Sequence, residues 1–458
     1  MPELVDRAAQ LYGDRLALLS RENRETFAEL RGRVRRAAGG MRVAPGDRVL
    51  IVAGNSLETV HAFLGAVYAG AVAAVVNPEL TESELDYLRQ DLEPALELQA
   101  PEPGPERDPV EADPLAPAGI VYTSGTTSRP KGVQIRHAAY TETGHSFPSW
   151  FGLGQDERLW ACLPLFHINA QAYSLMASLW HGFPLALSER FSASRFWREA
   201  AELEVTHVNL IGAMLSFLAR QPEPAWAEHR LRRIYTAPVP PPTELSQLER
   251  RFRVRIVTGY GMSENTFGTA ESSTSRGKAG SIGRARQPVE GAFVNELRID
   301  ADGELCFRNP LLTPGYWRAP EITGRTIVDG WLHTGDLGRV DADGDVFLSG
   351  RKKEMIRRRG ENIAPGEVED ALLAHPAVVQ AAVFGVPSAY TEEEVVAAVV
   401  LGSGVTADEA ALKDFARSRL AAYKVPAEIV FREGLPMTAT MRVAKDRLRQ
   451  EYLAAKPR

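Results

Sequence analysis

At 458 residues the chain is too long for a single hydrophobic core, and we expect two or three domains. Its composition, 44% hydrophobic and 24% charged, is ordinary for a soluble globular protein. A net charge of −6 and the lack of a long basic run argue against nucleic acid as a partner.

The two cysteines and the N-terminal residues favour a location in the cytoplasm. Cys162 and Cys306 lie in apolar contexts without metal-ligand spacing or a disulfide framework, which fits a reducing cytoplasm. Residues 1–10 lack the basic-then-apolar order of a signal peptide. No apolar run approaches the roughly 18 residues of a membrane span. We therefore expect a cytoplasmic protein with no membrane span.

The first quarter of the chain alternates predicted helices and strands. Capping boxes begin helices at Thr26–Glu29 and Thr81–Glu84. Between them, the apolar run at 49–53 predicts a buried strand, 57–68 has helical periodicity, and 71–76 predicts another strand. This order is typical of βαβ units with a parallel sheet. Six prolines from Pro101 to Pro117, among acidic residues, then predict a solvated linker or loop.

A polar turn follows the linker. The apolar run 119–122 predicts the end of a strand, and five hydroxyl side chains follow within six residues. Backbone N–H groups, hydroxyls and the ammonium of Lys131 at one turn suit a polyphosphate. The turn is not a Walker A loop, because Pro130 and Gly132 stand where that motif has Gly and Ser or Thr. A polar surface loop is the alternative.

Three later strands end in small or polar turns. Predicted strands at 159–163, 231–235 and 254–258 lead into 164–167, 236–240 and 259–264. In parallel α/β sheets, ligands bind at such carboxyl ends of strands. The sequence therefore predicts a binding site along this edge.

The pattern of predicted elements changes after about Gly280. Short strands and Gly/Asp turns predict a small antiparallel module, followed by the basic stretch 351–360. An α+β tail then includes predicted helices at 365–373 and 406–420. We predict an α/β protein: a large N-terminal domain, 1–350, of parallel-rich sheets with helices plus the β module, and a smaller mobile α+β domain, 351–458.

Four motifs in order connect these elements to a known family. They are Tyr122–Val133, Tyr260-Gly-Met-Ser-Glu264, Gly330-Trp-Leu-His-Thr-Gly-Asp336 and Gly350-Arg-Lys-Lys…Gly360-Glu-Asn-Ile363. Together they closely resemble the adenylate-forming superfamily of acyl-CoA synthetases, non-ribosomal adenylation domains and firefly-type luciferases. Segments 164–171 and 360–365 are most similar to acyl-CoA ligases. The resemblance covers nearly the whole chain and implies a site in the cleft between two domains.

The resemblance assigns a nucleotide site. Glu264 would bind Mg²⁺, a hard cation on a hard oxygen, although a solvated turn glutamate is the alternative. Asp336 would accept both ribose hydroxyls, with Arg351 beside it. The residues expected to hold ATP or AMP are Thr123, Ser124, Gly125, Thr126, Thr127, Lys131, Thr236, Ala237, Pro238, Gly259, Tyr260, Gly261, Ser263, Asp336 and Arg351.

The resemblance also assigns a two-step reaction. A carboxylate first attacks ATP to give acyl-AMP, and the CoA thiol then attacks the acyl-AMP. Lys353 would be the hinge between two domain poses, and Gly360 would line the pantetheine tunnel, where no side chain fits. His167 would gate the acyl pocket or be structural. Arg357, Arg358 and Arg359 would meet CoA phosphates or form a solvated basic face.

One catalytic position departs from the family pattern. The family usually has Pro-x-Thr-x-x-Gly-Lys near its C-terminus, and counting from Pro436 places Arg442 on the lysine. That lysine bridges the carboxylate and the α-phosphate during adenylation, and a planar guanidinium is not equivalent to a compact ammonium. Lys445 is three residues off this position. Either the chain is a good thioester-forming enzyme whose adenylate comes from a separate adenylating enzyme, or Arg442 serves well enough for both steps.

The sequence leaves two other functional classes open and argues against a third. A non-catalytic nucleotide or acyl-binding homologue and a luciferase-like oxygenase are alternatives, whereas a serine hydrolase lacks its Gly-x-Ser-x-Gly elbow. Residues 168–171, 211–214 and 257–261 are expected to wall the acyl pocket. They are mostly apolar and small, which favours a bulky hydrophobic carboxylic acid as the partner, together with CoA.

Overall fold

The computed structural model describes residues 1–123, 129–221, 228–237, 242–272, 277–388, 392–402, 404–438 and 443–455. Its first part alternates helices and strands as expected. These elements are α1 (Pro2–Tyr12), β1 (Leu16–Leu19), β2 (Arg24–Thr26), α2 (Phe27–Gly40), β3 (Arg48–Val52), α3 (Leu57–Tyr68), β4 (Val72–Val76), α4 (Glu82–Leu92), β5 (Leu96–Leu98), β6 (Pro117–Thr123), β7 (Lys131–Arg136) and α5 (His137–Phe151).

Two capping boxes and a parallel sheet confirm the pattern at the start of the chain. Thr26 with Glu29 caps α2, and Thr81 with Glu84 caps α4, each pair bonding both backbone N–H groups. The five-stranded sheet has the order β5-β3-β4-β6-β7. Strands β3 to β6 run parallel, and β7 closes the edge antiparallel to β6.

The proline-rich segment before β6 is an irregular and largely exposed loop, as its composition predicts. Gly104 N–H donates to the Arg36 carbonyl at 2.9 Å, and Val110 N–H donates to the Tyr68 carbonyl at 3.0 Å. Arg35 also pairs with Asp108 at 2.8 Å. The segment therefore packs along α2 and α3, because its backbone groups find partners there.

The central part of the chain forms a larger sheet with helices beside it. Its elements are β8 (Leu159–Ala161), a π-helical segment (Asn169–Leu175), α6 (Met176–His181), β9 (Leu185–Leu187), α7 (Phe196–Glu202), β10 (His207–Ile211), α8 (Gly212–Arg220), β11 (Arg233–Ala237), α9 (Pro242–Phe252), β12 (Arg255–Met262), β13 (Asn265–Ala270) and β14 (Arg284–Ala285). The nine strands have the order β14-β13-β12-β11-β10-β8-β9-β1-β2.

Strand β12 is longer than its apolar run predicts. The run ends at Thr258, but the strand continues to Met262 because its backbone pairs antiparallel with β13. A side chain at Gly259 would collide with the Thr269 carbonyl, so only glycine permits this close approach. The predicted turn after Thr258 is thus a paired strand whose reversal comes later, at Ser263 and Glu264.

The module after residue 280 is antiparallel, as expected. Its elements are β15 (Glu296–Ile299), β16 (Glu304–Arg308), α10 (Pro320–Thr326), β17 (Ile327–Val328), β18 (Trp331–Val340) and β19 (Val346–Arg351). The strand order is β15-β16-β18-β17, and β19 also pairs with β18. All of these pairings are antiparallel.

The final part of the chain is the predicted α+β unit. Its elements are β20 (Ile356–Arg358), β21 (Glu361–Ile363), α11 (Pro365–Leu373), β22 (Val378–Pro387), β23 (Glu393–Leu401), α12 (Glu409–Arg417), β24 (Glu428–Phe431) and α13 (Lys445–Ala455). The helix predicted from Thr406 begins only at Glu409, because Asp408 caps it by accepting from Ala411 N–H at 2.8 Å. Among the described helices, none is long and apolar enough to cross a bilayer.

Candidate active site

The polar turn lies at the tip of the β6–β7 hairpin. Thr123 ends β6 and pairs directly with Lys131, the first residue of β7. Ser124, Gly125, Thr126 and Thr127 lie outside the described residues. The ammonium of Lys131 is 5.7 Å from the centroid of the Tyr316 ring. The hairpin therefore directs the cation of the turn towards the segment that carries Tyr316.

A buried carboxylate stands next to this hairpin. Glu264 is 7% exposed, and Tyr316 donates a hydrogen bond to its Oε1 at 2.7 Å. Burial raises the pKa of Glu264, against the lowering effects of the Tyr316 hydrogen bond and of the charges of Arg351 and Lys131. This is not the solvated turn glutamate of the alternative interpretation. A carboxylate oxygen is the ligand that a hard cation prefers, and a perturbed pKa in a buried carboxyl is typical of functional sites.

A second carboxylate is held in place by an aromatic hydroxyl and a guanidinium. Asp336 on β18 accepts from the Tyr260 hydroxyl at 2.6 Å and pairs with Arg351 Nε at 3.1 Å. Asp336 and Arg351 face each other across β18 and β19, so the sheet register itself brings them together. An ionised carboxylate has about four acceptor positions, so Asp336 can accept from about two further donors in total.

The strand ends of the large sheet meet beside this cluster. Leu210, Thr236 and Thr258 are neighbours in register on β10, β11 and β12. Ala237 and Gly259 follow them at the same edge, and Pro238 lies outside the described residues. The predicted adenine edge is thus formed by adjacent backbones at the carboxyl ends of parallel strands, where ligands of such sheets bind.

The predicted acyl pocket wall at 168–171 includes a polar side chain. His167 precedes the π-helical segment, and its ring packs against Phe166 with centroids 4.7 Å apart. Asn169 is partly exposed and accepts a hydrogen bond from the Asn209 amide at 2.8 Å. The predicted wall therefore offers an amide beside its apolar residues.

The predicted hinge and tunnel residues lie in the basic stretch. Lys353 is exposed within a 3₁₀ turn, Lys352–Glu354. Gly360 and Arg359 form the tip of the β20–β21 hairpin with φ of 80° and 54°. Two consecutive positive φ angles are those of a type I′ turn, which glycine adopts without strain. A Cβ at Gly360 would meet nothing within 4 Å, so glycine is favoured here by its positive φ and not by crowding. The place of Gly360 in a pantetheine tunnel stays a prediction.

Arg358 does not fit its predicted contact with CoA. It donates to the carbonyls of Tyr423 and Val425 at 2.9 and 3.1 Å and pairs with Glu394 at 2.6 Å. Its guanidinium thus holds β20 to the rest of the C-terminal unit. Arg357 and Arg359 are exposed and remain candidates for the phosphates.

In the segment 436–445, the described residues are 436–438 and 443–445. Arg442 lies outside the described residues. Lys445, which begins α13, pairs with Glu369 at 2.7 Å and with Glu354 at 3.1 Å. Burial alone would lower the pKa of Lys445, but the two carboxylates outweigh it and the pKa is raised. Lys445 is therefore bound between two acids of the C-terminal unit.

Tyr316, whose hydroxyl orients Glu264, belongs to none of the sequence motifs described above. Tyr316 reaches the cluster because an isolated bridge pairs it with Val133, next to the hairpin of the polar turn. Its hydroxyl bond to Glu264 spans 52 residues of the chain. The only local signal is the Pro-Gly turn at 314–315 before two aromatic residues, which predicts a turn without indicating its partner.

Comparison with protein families agrees with this geometry. A model of AMP-binding enzymes matches residues 5–102 and 93–317, and a model of their C-terminal domain matches residues 367–442. The chain belongs to the AMP-binding enzyme family. Within this adenylate-forming superfamily it falls in the acyl-CoA ligase branch, since its relatives are named as CoA ligases.

Two curated relatives span the full length of the chain. A long-chain-fatty-acid–CoA ligase of Mycobacterium tuberculosis is 30% identical over 481 residues, covering 96% of this chain and 95% of the relative. An oxalate–CoA ligase of Arabidopsis thaliana is 31% identical over 507 residues, covering 98% of each. Relatives of nearly equal identity thus differ widely in the acid they are named for.

Solved structures of an AMP-binding enzyme have the same fold. The o-succinylbenzoate CoA synthetase of Bacillus subtilis with its acyl-adenylate intermediate has a TM-score of 0.87 and 28% identity, covering 100% of this chain and 99% of the synthetase. The same synthetase is known with ATP and a magnesium ion, at a TM-score of 0.86 and 29% identity, covering 97% and 98% of the two chains.

Proposed function

We propose that this chain is an acid–CoA ligase that forms an acyl-CoA thioester by way of an acyl-adenylate. The observation that supports the proposal most directly is the cluster of Glu264, Tyr316, Asp336, Tyr260 and Arg351, whose members bond to one another around two carboxylates. One carboxylate is suited to a cation and the other to a sugar diol. Family membership makes a bound adenylate the natural occupant.

Each predicted nucleotide residue has a role in this proposal. Asp336 and Arg351 hold the ribose, and Tyr260 packs on the adenine. Ser263 contacts the α-phosphate, whereas Thr123 and Lys131, with the turn between them, hold the other phosphates. Glu264 would hold a magnesium ion, which would neutralise charge on the phosphates, and its buried carboxylate oxygens fit such a hard ion.

The reaction has two steps in the proposed scheme. The acid's carboxylate oxygen attacks the α-phosphorus, a phosphoanhydride bond breaks, and pyrophosphate leaves. The sulfur of CoA then attacks the acyl carbon, and AMP leaves with the electrons of the acyl–oxygen bond. We infer that the chain from 351 onwards moves about Lys353 between these steps and brings Gly360 to the pantetheine. Apolar clusters before residue 350 share no member with those after residue 355, which supports such a division.

The finer proposal is that thioester formation is the efficient step of this chain. Arg442 stands where the family has the lysine that adenylation uses. The lysine three residues further on is a poor substitute, because Glu354 and Glu369 already bind Lys445. Because Arg442 replaces the usual lysine and Lys445 is already paired, we propose that an acyl-adenylate made by another enzyme is a substrate of this chain, beside the free acid.

The predicted pocket wall includes the amide of Asn169 besides its apolar residues. Asn169 is partly exposed and accepts a hydrogen bond from the Asn209 amide at 2.8 Å. Because an amide can also bond to a polar group of a ligand, acids that carry such a group belong in the substrate screen beside the bulky hydrophobic acids.

A substrate screen performed in two arms tests the proposal. One arm offers acids with ATP, magnesium and CoA, and the other offers premade acyl-adenylates with CoA. Thioester from the adenylate arm, at rates well above the acid arm for the same acyl group, supports the proposal. Equal rates in both arms identify a complete two-step synthetase. No thioester in either arm, despite measurable binding of AMP, indicates a non-catalytic nucleotide-binding homologue.

A further inference from the structure

The antiparallel module carries a second cluster of metal-binding side chains, away from Glu264. Cys306 on β16 lies opposite His333 on β18 in the strand register. Asp300 follows the end of β15, in the turn that leads to β16. The sheet therefore brings a thiol, an imidazole and a carboxylate to one point from three separate parts of the module.

The distances within this cluster match those between ligands of one ion. Cys306 Sγ is 3.5 Å from His333 Nδ1, and Asp300 Oδ2 is 3.7 Å from the same nitrogen. One ligand atom from each of the three residues lies within 4.8 Å of the other two. Tetrahedral zinc, with bonds of about 2.0 to 2.3 Å, needs ligand atoms roughly 3.3 to 3.6 Å apart. Small movements of the Asp300 side chain suffice to complete this arrangement.

The combination of donor atoms narrows the class of ion. A thiolate with an imidazole favours borderline and soft transition ions over magnesium or calcium, which prefer oxygen. Cys306 is fully buried, whereas the side chains of His333 and Asp300 are 19% and 37% exposed. An ion can therefore enter from the solvent side and still be held by the buried sulfur, with one coordination position left for water.

Charged residues of both signs surround the cluster, and Arg298 lies opposite Cys306 in the register of β15 and β16. Glu304 Oε2 is 3.4 Å from His333 Nδ1, and its Oε1 accepts from Gly335 N–H at 2.7 Å. Lys352 pairs with Glu304 at 3.2 Å and with Asp302 at 3.1 Å. We assign Glu304 to the surrounding shell rather than to the ion, because the lysine and the backbone already engage it.

We propose that Asp300, Cys306 and His333 bind a divalent transition-metal ion of the zinc class. The site is distinct from the nucleotide site, where Glu264 offers only hard oxygen. It ties the β15–β16 turn to β18, three residues before Asp336. Its expected effect is to stabilise the sheet that carries Asp336.

Cobalt(II) is the probe for the test, added to the purified full-length protein after removal of metals. We expect one Co²⁺ per chain, with a sulfur-to-cobalt charge-transfer band in the near ultraviolet. Cys306→Ser should lose the band, and Cys162→Ser, which changes the other buried cysteine, should retain it. Zinc added to the wild type should displace cobalt and raise the melting temperature.

A second variant keeps the test decisive if Cys306→Ser does not fold. Asp300→Asn alters an exposed turn and leaves the thiol in place, and we expect a fall in cobalt affinity of about tenfold or more. Absence of the charge-transfer band in the wild type overturns the proposal. Unchanged cobalt affinity in Asp300→Asn, or a band that persists in folded Cys306→Ser, overturns it as well.

Discussion

The nucleotide cluster and the C-terminal segment 436–445 differ in how closely they follow the family pattern. In the cluster, Glu264, Asp336 and Arg351 are all present and bonded to one another or to tyrosines. In the segment, arginine stands at position 442, and the lysine at 445 is bound by two acids of its own unit. The nucleotide cluster has its charges arranged for a ligand, whereas the charge of Lys445 is paired with carboxylates of its own unit.

Under the proposed function, nucleotide binding and adenylation depend on separate parts of this chain. We propose that binding relies on carboxylates held by the register of β18 and β19 and by Tyr316. In the same proposal, adenylation additionally requires a compact cation in the transition state, supplied from the C-terminal unit. A chain can therefore retain the first capacity while the second is weakened.

The largest expected effect is that of Glu264→Gln, which removes the proposed magnesium ligand from the complete region. We expect adenylation, measured as pyrophosphate exchange or as ATP formed from acyl-AMP and pyrophosphate, to fall by about 10²–10³. Thioester formation from premade acyl-AMP should fall much less, because no pyrophosphate is bound in that step. Glu271→Gln, at another buried carboxylate, should spare both reactions. Equal losses in the two half-reactions would contradict the assignment of Glu264.

Lys445→Gln tests whether the lysine of the C-terminal segment is structural or catalytic. If Lys445 is structural, as its pairs with Glu354 and Glu369 indicate, the variant loses about 3 kcal/mol of unfolding free energy. Each half-reaction per folded molecule should stay nearly unchanged. Arg447→Gln on the same helix breaks only an exposed i,i+4 pair and should cost about 0.3 to 0.5 kcal/mol. A selective loss of pyrophosphate exchange in Lys445→Gln would instead make Lys445 the adenylating lysine.

Tyr316→Phe gives a smaller effect with a defined pH dependence. Losing a hydrogen bond to a charged group weakens magnesium-dependent ATP binding by about tenfold. The pKa of Glu264 is already raised by burial and rises further without the tyrosine, because that bond favours the ionised form. Magnesium affinity is therefore lost as the pH falls, and the loss begins at higher pH in the variant.

Tyr87→Phe is the matched control for that change. Its hydroxyl donates to the Pro130 carbonyl at 3.0 Å, next to the same hairpin. The control should leave the pH profile of ATP binding unchanged, as measured by calorimetry across the acid limb. A shift of equal size in both variants would show that Tyr316 acts through the hairpin and not through Glu264.

Local sequence patterns predicted much of the fold, and motifs predicted much of the candidate site. The capping boxes at Thr26 and Thr81 and the parallel strands followed from short-range chemistry. The failures are long-range. Backbone pairing with β13 extended β12, and Tyr316 reached Glu264 through a bridge to β7. None of these contacts leaves a periodic signal in the sequence.

The cysteines show the same limit. Cys306 and His333 are 27 residues apart, so their spacing does not suggest a shared ligand, and only the register of β16 and β18 brings them together. Arg358 was expected either at the CoA phosphates or on a solvated basic face, but it donates instead to carbonyls of the C-terminal unit. Charge in a sequence indicates what a residue can bind, whereas the fold decides which partner it meets.

The most direct test of the central claim compares both half-reactions in the wild type and in Arg442→Lys, with Arg447→Lys as the control. We predict slow pyrophosphate exchange in the wild type, a gain of about 10²–10³ in Arg442→Lys, and thioester formation from acyl-AMP that is similar in all three proteins. Brisk exchange by the wild type, or no gain from the lysine, would contradict the claim that Arg442 limits adenylation.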